Sequence, residues 1–366
     1  MIFVVKEALF LARNGVNIYD GGILQPAPWL LTFCSLFEGV LDNFYAVRIL
    51  FIILDLLIAS ALHELSSEFV KEAPLTAEQI TKCYFYNLLG WFAVFGMNWG
   101  LLTSWLQLVA LILALKGKEV AATVLTGFLV HSDFYNLALV APIAMCFNNS
   151  KKVALKCLTV SAILTLSSSL ILSNYFKFDI SILQLIDSVY LSRMRIDSLR
   201  PNSGLTWYLF TQVFPAFNSL IKITFQMTLM AFWPACAIKF RNDPIFMFLA
   251  LIGSQMILKG YPSVADYALF FGLLMTQAKY FEQTRVLFIA LFVAAGVYVL
   301  KMQMWRYWIE LPGFNANFYY VFTLIWNAVL VIIFMDLMAA YNKTKIYEEN
   351  PKLKGKEYEK CKLFQR

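Results

Sequence analysis

Residues 46–63 read AVRILFIILDLLIASALH, an almost unbroken apolar run with Arg48 near one end and a single acid, Asp55, inside. A stretch of about 20 such residues is what a helix needs to cross the hydrocarbon of a bilayer. Working outward, similar runs fall at 83–98, 99–115, 120–131, 135–147, 153–173, 206–236, 244–258, 266–277, 286–302 and 317–341. The pattern predicts an all-α, polytopic transmembrane helical bundle of eleven spans. Several runs are short for a simple crossing, which bilayers tolerate where a segment is buried in protein or lines a cavity. Gly96, Gly100, Pro142, Pro215, Pro234 and Pro262 punctuate the series.

Composition excludes the main alternatives. Of 366 residues 60% are apolar and 14% are charged, whereas soluble domains run to about 45–50% and about 25%. The apolar and aromatic content rules out disorder. The net charge of +7 is scattered between apolar runs, which argues against nucleic acid. Six cysteines without a CxxC spacing and only two histidines, His63 and His131, leave no metal or Cys–His site to build. No cofactor is implied.

Basic loops set orientation. Residues 116–119 (KGKE), 148–156 (NNSKKVALK), 239–243 (KFRND), 278–285 (AKYFEQTR) and the tail 342–366 fall on one side in an eleven-span count, and that side is expected to be cytoplasmic. Residues 1–45, a first loop with amphipathic segments, then face the opposite side, as do loops 174–205, 259–265 and 303–316; the bundle itself occupies 46–341.

The non-cytoplasmic segments carry the informative chemistry. Arg193, Arg195, Arg200, Lys259 and Arg306 run against the positive-inside trend. A guanidinium fork suits phosphate, so these residues fit either a phosphorylated lipid or glycan at the membrane surface or basic side chains reaching for headgroups. Asn315 and Asn317 flank Ala316 before an aromatic run; their amides suit sugar hydroxyls, and one of them also suits a helix cap. Tyr261-Pro262 followed by Asp266 reads as a proline-fixed loop opening a helix, with Asp266 favouring its N-terminus. Asp55, Lys222 and Asp336 lie inside spans, where ionisable groups need partners; pairing of Lys222 with either acid is one expectation. His131-Ser132-Asp133 reads as turn chemistry or, less readily, as a His–Asp relay.

Four stretches are familiar together: Leu199–Tyr208 (LRPNSGLTWY), Asp243–Phe248 (DPIFMF), Lys259–Leu269 (KGYPSVADYAL) and Asn315–Leu324 (NANFYYVFTL). With GVNIYDGG…PAP at 15–28 they resemble, in collinear order over nearly the whole chain, the U subunit of the glycosylphosphatidylinositol (GPI) transamidase complex. That resemblance implies a multi-pass endoplasmic reticulum protein, similar in architecture to polytopic GT-C-type lipid-linked sugar transferases. It implies a non-catalytic subunit that recognises and positions the GPI lipid for attachment to proproteins. The catalytic cysteine and histidine are then expected in a partner subunit, beside further accessory membrane subunits. Carried onto this chain, Asn315 and Asn317 are the expected glycan contacts, with Tyr261, Pro262 and Asp266, and with Arg200 and Asn202 behind them. The family opens with an apolar helix not seen here, and twelve spans are expected with it restored.

Two other readings compete. A mannosyltransferase using a dolichol-linked donor is expected to carry an acidic motif in the first lumenal loop, where this chain offers only Asp20 and, further on, Asp42. A transporter accords with broken spans, but no matched pair of them appears in two halves.

Overall fold

The computed structural model describes residues 2–19, 26–70, 74–177, 180–196, 199–311 and 313–349. The Asp20-Gly21-Gly22 turn, Asp197, Pro312 and the basic tail beyond Glu349 lie outside the described residues. Those described are helical with no strand, as an all-α polytopic membrane protein requires. The chain divides into two units, Met1–Thr276 and Gln277–Arg366.

The first unit opens with three short helices, α1 (Ile2–Arg13), α2 (Pro28–Leu36) and α3 (Glu38–Asp42). Pro28 occupies the first turn of α2, where its missing N–H costs nothing. An Arg13–Glu38 ion pair and Lys6–Asp42 at 3.0 Å fasten α1 to α3. Then comes α4 (Phe44–Phe69), whose Asn43 cap accepts from Tyr45 N and Ala46 N. Asp55, midway along α4, is buried and accepts the Tyr84 hydroxyl at 2.7 Å.

Broken helices follow: α5 (Ala77–Phe85), α6 (Leu88–Phe95), α7 (Gly100–Leu115), α8 (Glu119–Ser132), a 3-10 turn at Phe134–Leu139 and α9 (Val140–Met145). The run 83–98 is thus two helices, because Asn87 caps a new start by accepting from Leu89 N. Long α10 (Ser150–Tyr175) packs on α8 across Gly127, where a Cβ would stand 2.6 Å from Val160. Only a glycine allows that approach.

After α10 come α11 (Ile182–Ile186), a π-helical turn at Asp187–Leu191 and α12 (Ser192–Arg195), so the expected loop 174–205 is largely wound. The run 206–236 is likewise divided: α13 (Thr206–Gln212) stops before Phe214, and Pro215 starts α14 (Pro215–Lys239). α14 leaves Phe217, Leu220, Ile223 and Met227 exposed, an apolar face suited to lipid. The interior helix is α15 (Pro244–Leu258), started by Asp243 and Pro244 and buried almost all round; α16 (Val264–Thr276) closes the unit.

The second unit pairs α17 (Leu287–Ile309) with α18 (Ala316–Glu349), preceded by a 3-10 turn at Ala278–Gln283. Asp336 accepts the N–H groups of Arg285 and Val286 at 2.9–3.0 Å, satisfying donors at the start of α17. Lys301 is buried against the rings of Tyr298 and Trp326 at 4.4 and 5.1 Å.

Among the described residues, α4, α10, α14, α17 and α18 are long and apolar enough to cross a membrane, and the shorter apolar helices, each 10–17 residues, lie at Gly100–Leu115, Glu119–Ser132, Phe134–Met145, Pro244–Leu258 and Val264–Thr276. The expected pairing of Lys222 with Asp55 is not what forms. Asp55 takes Tyr84, and Lys222 donates to the Ile196 carbonyl at 3.0 Å. Ile196 adopts a left-handed conformation at φ 51°, strained for a β-branched residue, and its carbonyl is held in place by that lysine.

Candidate functional site

Two of the sequence motifs meet in the first unit. The turn Arg200–Gly204 folds on itself: Asn202 Oδ1 accepts Gly204 N at 2.6 Å, and Asn202 Nδ2 donates to Arg200 O at 3.0 Å. It is then stapled to the segment 259–267. Thr206 Oγ1 donates to Gly260 O at 3.1 Å, and Tyr267 Oη donates to Ser203 O at 3.2 Å. The Gly204 position abuts Pro262, whose Cδ would lie 2.7 Å from any Cβ. Asn202 and Pro262 therefore build the turn.

The 259–266 segment is set by a capping box. Ser263 N donates to Asp266 Oδ2 at 2.7 Å and Asp266 N donates to Ser263 Oγ at 3.2 Å. The plain capping reading of Asp266 thus holds, while the same carboxylate also stands 3.6 Å from Lys259.

A second clasp comes from the end of α8. Asp133 leaves the helix in an extended conformation. Its carboxylate lies 2.9 Å from Arg193 and 3.3 Å from Lys259. Among the described residues His131 takes no part in a His–Asp pair. Its ring nitrogens meet the Tyr190 hydroxyl at 2.8 Å and Ser168 at 3.1 Å, and Tyr190 also reaches the His131 carbonyl at 2.8 Å. His131 and Asp133 together fix the π-helical turn and the arginine that follows it.

Tyr135 forms the floor. Its hydroxyl accepts from Gln226 Nε2 at 3.1 Å and from Gly260 N at 3.4 Å, and its carbonyl accepts from Gln255 at 2.9 Å. Lys259 Nζ sits 5.2 Å from the centre of its ring. Nothing in the local sequence marks Tyr135; α14 and the stretch 255–260, both distant in the chain, make it a junction.

These groups surround a cavity of about 390 Å³, within the size range of ligand sites. Its polar lining includes Asn98, Gln107, Asn136, Arg200 and Tyr261 beside Asp133, Arg193, Lys259 and Asp266. Its apolar wall comes from Val4 and Val5 of α1 and from Trp29 and Leu30 of α2. Burial disfavours charge on Lys259, yet Asp133 and Asp266 hold its pKa above the ordinary lysine value. Burial would push Asp133 up, but Lys259 and Arg193 keep its carboxyl below the usual range. Lys259 and Asp133 both stay charged at neutral pH.

Of the residues expected from sequence, Arg200, Tyr261 and Asp266 line this cavity, and Asn202 and Pro262 buttress it. Arg195 pairs instead with Asp187, at 2.6 Å. Arg306, Asn315 and Asn317 belong to the second unit. There Arg306 pairs with Glu310 at 3.2 Å. Asn315 caps α18 by accepting Asn317 N at 3.0 Å, while the Asn317 side chain is exposed. Beside them Trp305 and Trp308 pack on Tyr319 with centroids 5.1 and 6.0 Å apart.

Residues 3–326 match the family described as GPI transamidase subunit PIG-U. The chain is 26% identical to GPI transamidase component GAB1 of Saccharomyces cerevisiae, covering 91% of this chain and 83% of that one. It is 26% identical to the GAB1 homolog of Schizosaccharomyces pombe, over 95% and 86%. It is 24% identical to GPI-anchor transamidase component PIGU of Homo sapiens, over 94% and 86%. A mannosyltransferase reading is not favoured by these relatives. With the motif stretches collinear across almost its whole length, the chain belongs to the PIG-U family of GPI transamidase subunits.

Proposed function

We propose that this subunit is non-catalytic and holds the GPI lipid in position, in the endoplasmic reticulum membrane, while a partner subunit performs the transfer. The supporting observation is the convergence of the RPNSG and KGYPSVAD stretches on one cavity, with Arg200, Tyr261 and Asp266 in its lining. The apolar wall from α1 and α2 suits acyl or glycerol carbons, and the basic lining suits an anionic headgroup. Asn317, exposed beside the aromatic cluster of the second unit, offers an amide to sugar hydroxyls, and Asn315 contributes what its capping oxygen leaves over. The contribution to rate is orientation: a lipid amine held against the acyl-enzyme meets it without the entropic cost of a free encounter. The tail beyond the bundle faces the cytosol on this reading, since the basic segments lie on its side.

Cells carrying only an Arg200→Gln or Tyr261→Ala variant test the reading. A GPI-anchored reporter should reach the surface several-fold less, while the variant chain still co-purifies with its companion subunits. Normal display by both variants would remove the cavity from GPI recognition.

A further inference from the structure

We infer that the α7 wall of the cavity seats a cyclic polyol, the inositol or hexose ring of a membrane lipid's headgroup, and keeps acyl chains off that side. On the GPI-lipid reading above, on which this rests, the lipid's ring rather than its chains meets α7. That helix is apolar for most of its length (GLLTSWLQLVALILAL), but Thr103 and Gln107 stand one turn apart on one face, and both line the cavity. Gln107 is 5% exposed. Its Nε2 donates to Asn136 Oδ1 at 2.7 Å, and Asn136 Nδ2 donates to the Leu129 carbonyl at 2.8 Å. That chain of bonds fixes which way the Gln107 amide points, and its Oε1 meets no donor among the described residues. Thr126, Thr224 and Thr323 each return their hydroxyl to the carbonyl four residues back, at 2.7–3.0 Å. The Thr103 hydroxyl does not, and bonds to none of the described residues. Asn98, also in the lining, uses its Oδ1 to accept Gly100 N at 2.8 Å, while its amide N–H groups meet no acceptor among the described residues.

Three neutral groups on one cavity thus have bonding capacity in hand: an acceptor at Gln107, a donor at Asn98, and at Thr103 a hydroxyl that does both. Polar groups withdrawn from solvent are ordinarily paired in folded proteins, so this wall is complete only with a guest or with water that a guest displaces. A guest that fails to reproduce the water's bonds loses affinity. Vicinal ring hydroxyls reproduce them, since each donates and accepts. An acyl chain would strand all three groups, and an unprotonated phosphate oxygen, which only accepts, would leave Gln107 Oε1 unmet. The C–H face of a ring is served by Trp29 and Leu30, in the same lining, so hydroxyl edge and carbon face each find a complement. Amides and hydroxyls do not titrate near neutral pH, so this recognition is independent of the Asp133 and Lys259 ion pair.

Lipid pairs that share chains and charge, and differ in the ring, test the seat. The full chain, purified with its companion subunits in detergent, is incubated with equal amounts of dioleoyl phosphatidylinositol and dioleoyl phosphatidylethanol, and separately with glucosyl dioleoylglycerol and dioleoylglycerol. Retained lipid is read by native mass spectrometry. A ring-bearing lipid should be retained about tenfold over its partner; preference in the first pair makes the ring an inositol, and in the second a hexose. Thr103→Val has no bond to a described residue to lose, so it should fold normally and cut the preference several-fold, with retention of the ringless lipids unchanged. Gln107→Met should act in the same direction, although it also takes a donor from Asn136, so Thr103→Val decides. Equal retention within both pairs, or a preference that Thr103→Val leaves intact, would overturn the inference. The GPI reporter assay separates the two claims. Lost display in Arg200→Gln with equal retention within both pairs keeps the GPI reading and removes the polyol seat. A ring preference abolished by Thr103→Val, with normal display in that variant and in Arg200→Gln, keeps the seat, assigns it to another membrane lipid and removes the GPI reading.

Discussion

Asp133 Oδ2 lies 3.3 Å from Lys259 Nζ, with both side chains about 15% exposed. Truncating one partner of such a pair strands a buried charge, at a cost of about 3–5 kcal/mol. Asp133→Asn should therefore lower the detergent-solubilised unfolding temperature clearly, and adding Lys259→Met should recover part of the loss. The pH dependence follows from the signs. Asp133 has a depressed folded pKa, so its contribution is present above the ordinary carboxylate value and fades as pH falls through the lower folded one. Lys259 has a raised pKa, so its contribution is complete below the ordinary lysine value and fades only as pH climbs past it. Thermal scans should give a flat optimum from about pH 5 to about pH 9, flanked by loss on both sides. A maximum confined to mildly acidic pH would contradict the pairing.

Gly204 has no room for a side chain. A Cβ there would stand 2.7 Å from Pro262 Cδ and 2.9 Å from Asn202 Oδ1, both parts of the joint between the two motif segments. Gly204→Ala should push those segments apart and cut GPI-reporter display strongly, while α4 and α10, remote in sequence from the turn, stay folded. Circular dichroism and recovery with companion subunits check the second half. Undiminished display would show that the joint is not needed.

The helix–helix contact at Gly127 makes a separate stability prediction. Its Cβ would fall 2.6 Å from Val160 and 2.8 Å from the Cys157 carbonyl, so Gly127→Val overpacks α8 against α10 and should cost about 1–3 kcal/mol. At Gly296, inside α17, a Cβ would meet nothing within 4 Å. Gly296→Ala should be neutral or stabilising by up to about 1 kcal/mol. Both are read as shifts in unfolding temperature; equal shifts would refute the packing argument.

The fold was legible where local chemistry was strong. The run 244–258 coincides with α15 because Asp243 and Pro244 mark its start and the apolar run marks its length. The run 206–236 misled because hydropathy continues through Val213-Phe214, where the backbone turns before Pro215 restarts the helix. At the site, Arg193, Arg200 and Lys259 stood out as cations on the wrong side of the charge pattern. Asp133 and Tyr135 did not: a lone acid in a turn and a tyrosine in an apolar run become the hub and the floor only when chain segments far apart in sequence meet. No local period or spacing encodes that.

Asn315 and Asn317 separate capping from recognition. Asn315 Oδ1 accepts Asn317 N, so Asn315→Asp keeps the cap, whereas Asn315→Ala loses about 1 kcal/mol. The exposed Asn317 side chain has no such duty. Asn317→Asp should impair GPI attachment with assembly intact, and Asn315→Asp should do so only if its amide nitrogen also touches the glycan. Reporter display in cells carrying each variant alone, normalised to chain recovered with the complex, is the measurement. Normal attachment in Asn317→Asp removes that residue from the site.

Orientation has its own test in two glycosylation acceptor sequences, Asn148-Asn149-Ser150 and Asn342-Lys343-Thr344. The first directly precedes α10, whose opening turn exposes Lys151 and Lys152, a basic flank of the kind retained in the cytosol. The second is already wound into α18, where Thr344 Oγ1 donates to the Ala340 carbonyl at 2.9 Å, so its hydroxyl is engaged whichever side it faces. The weight therefore rests on Asn148. If residues 148–156 lie on the cytosolic side, glycosidase treatment of the chain from eukaryotic membranes leaves its mobility unchanged. A glycan on Asn148 would place that flank in the lumen and reverse the sides assigned to the motif-bearing turns.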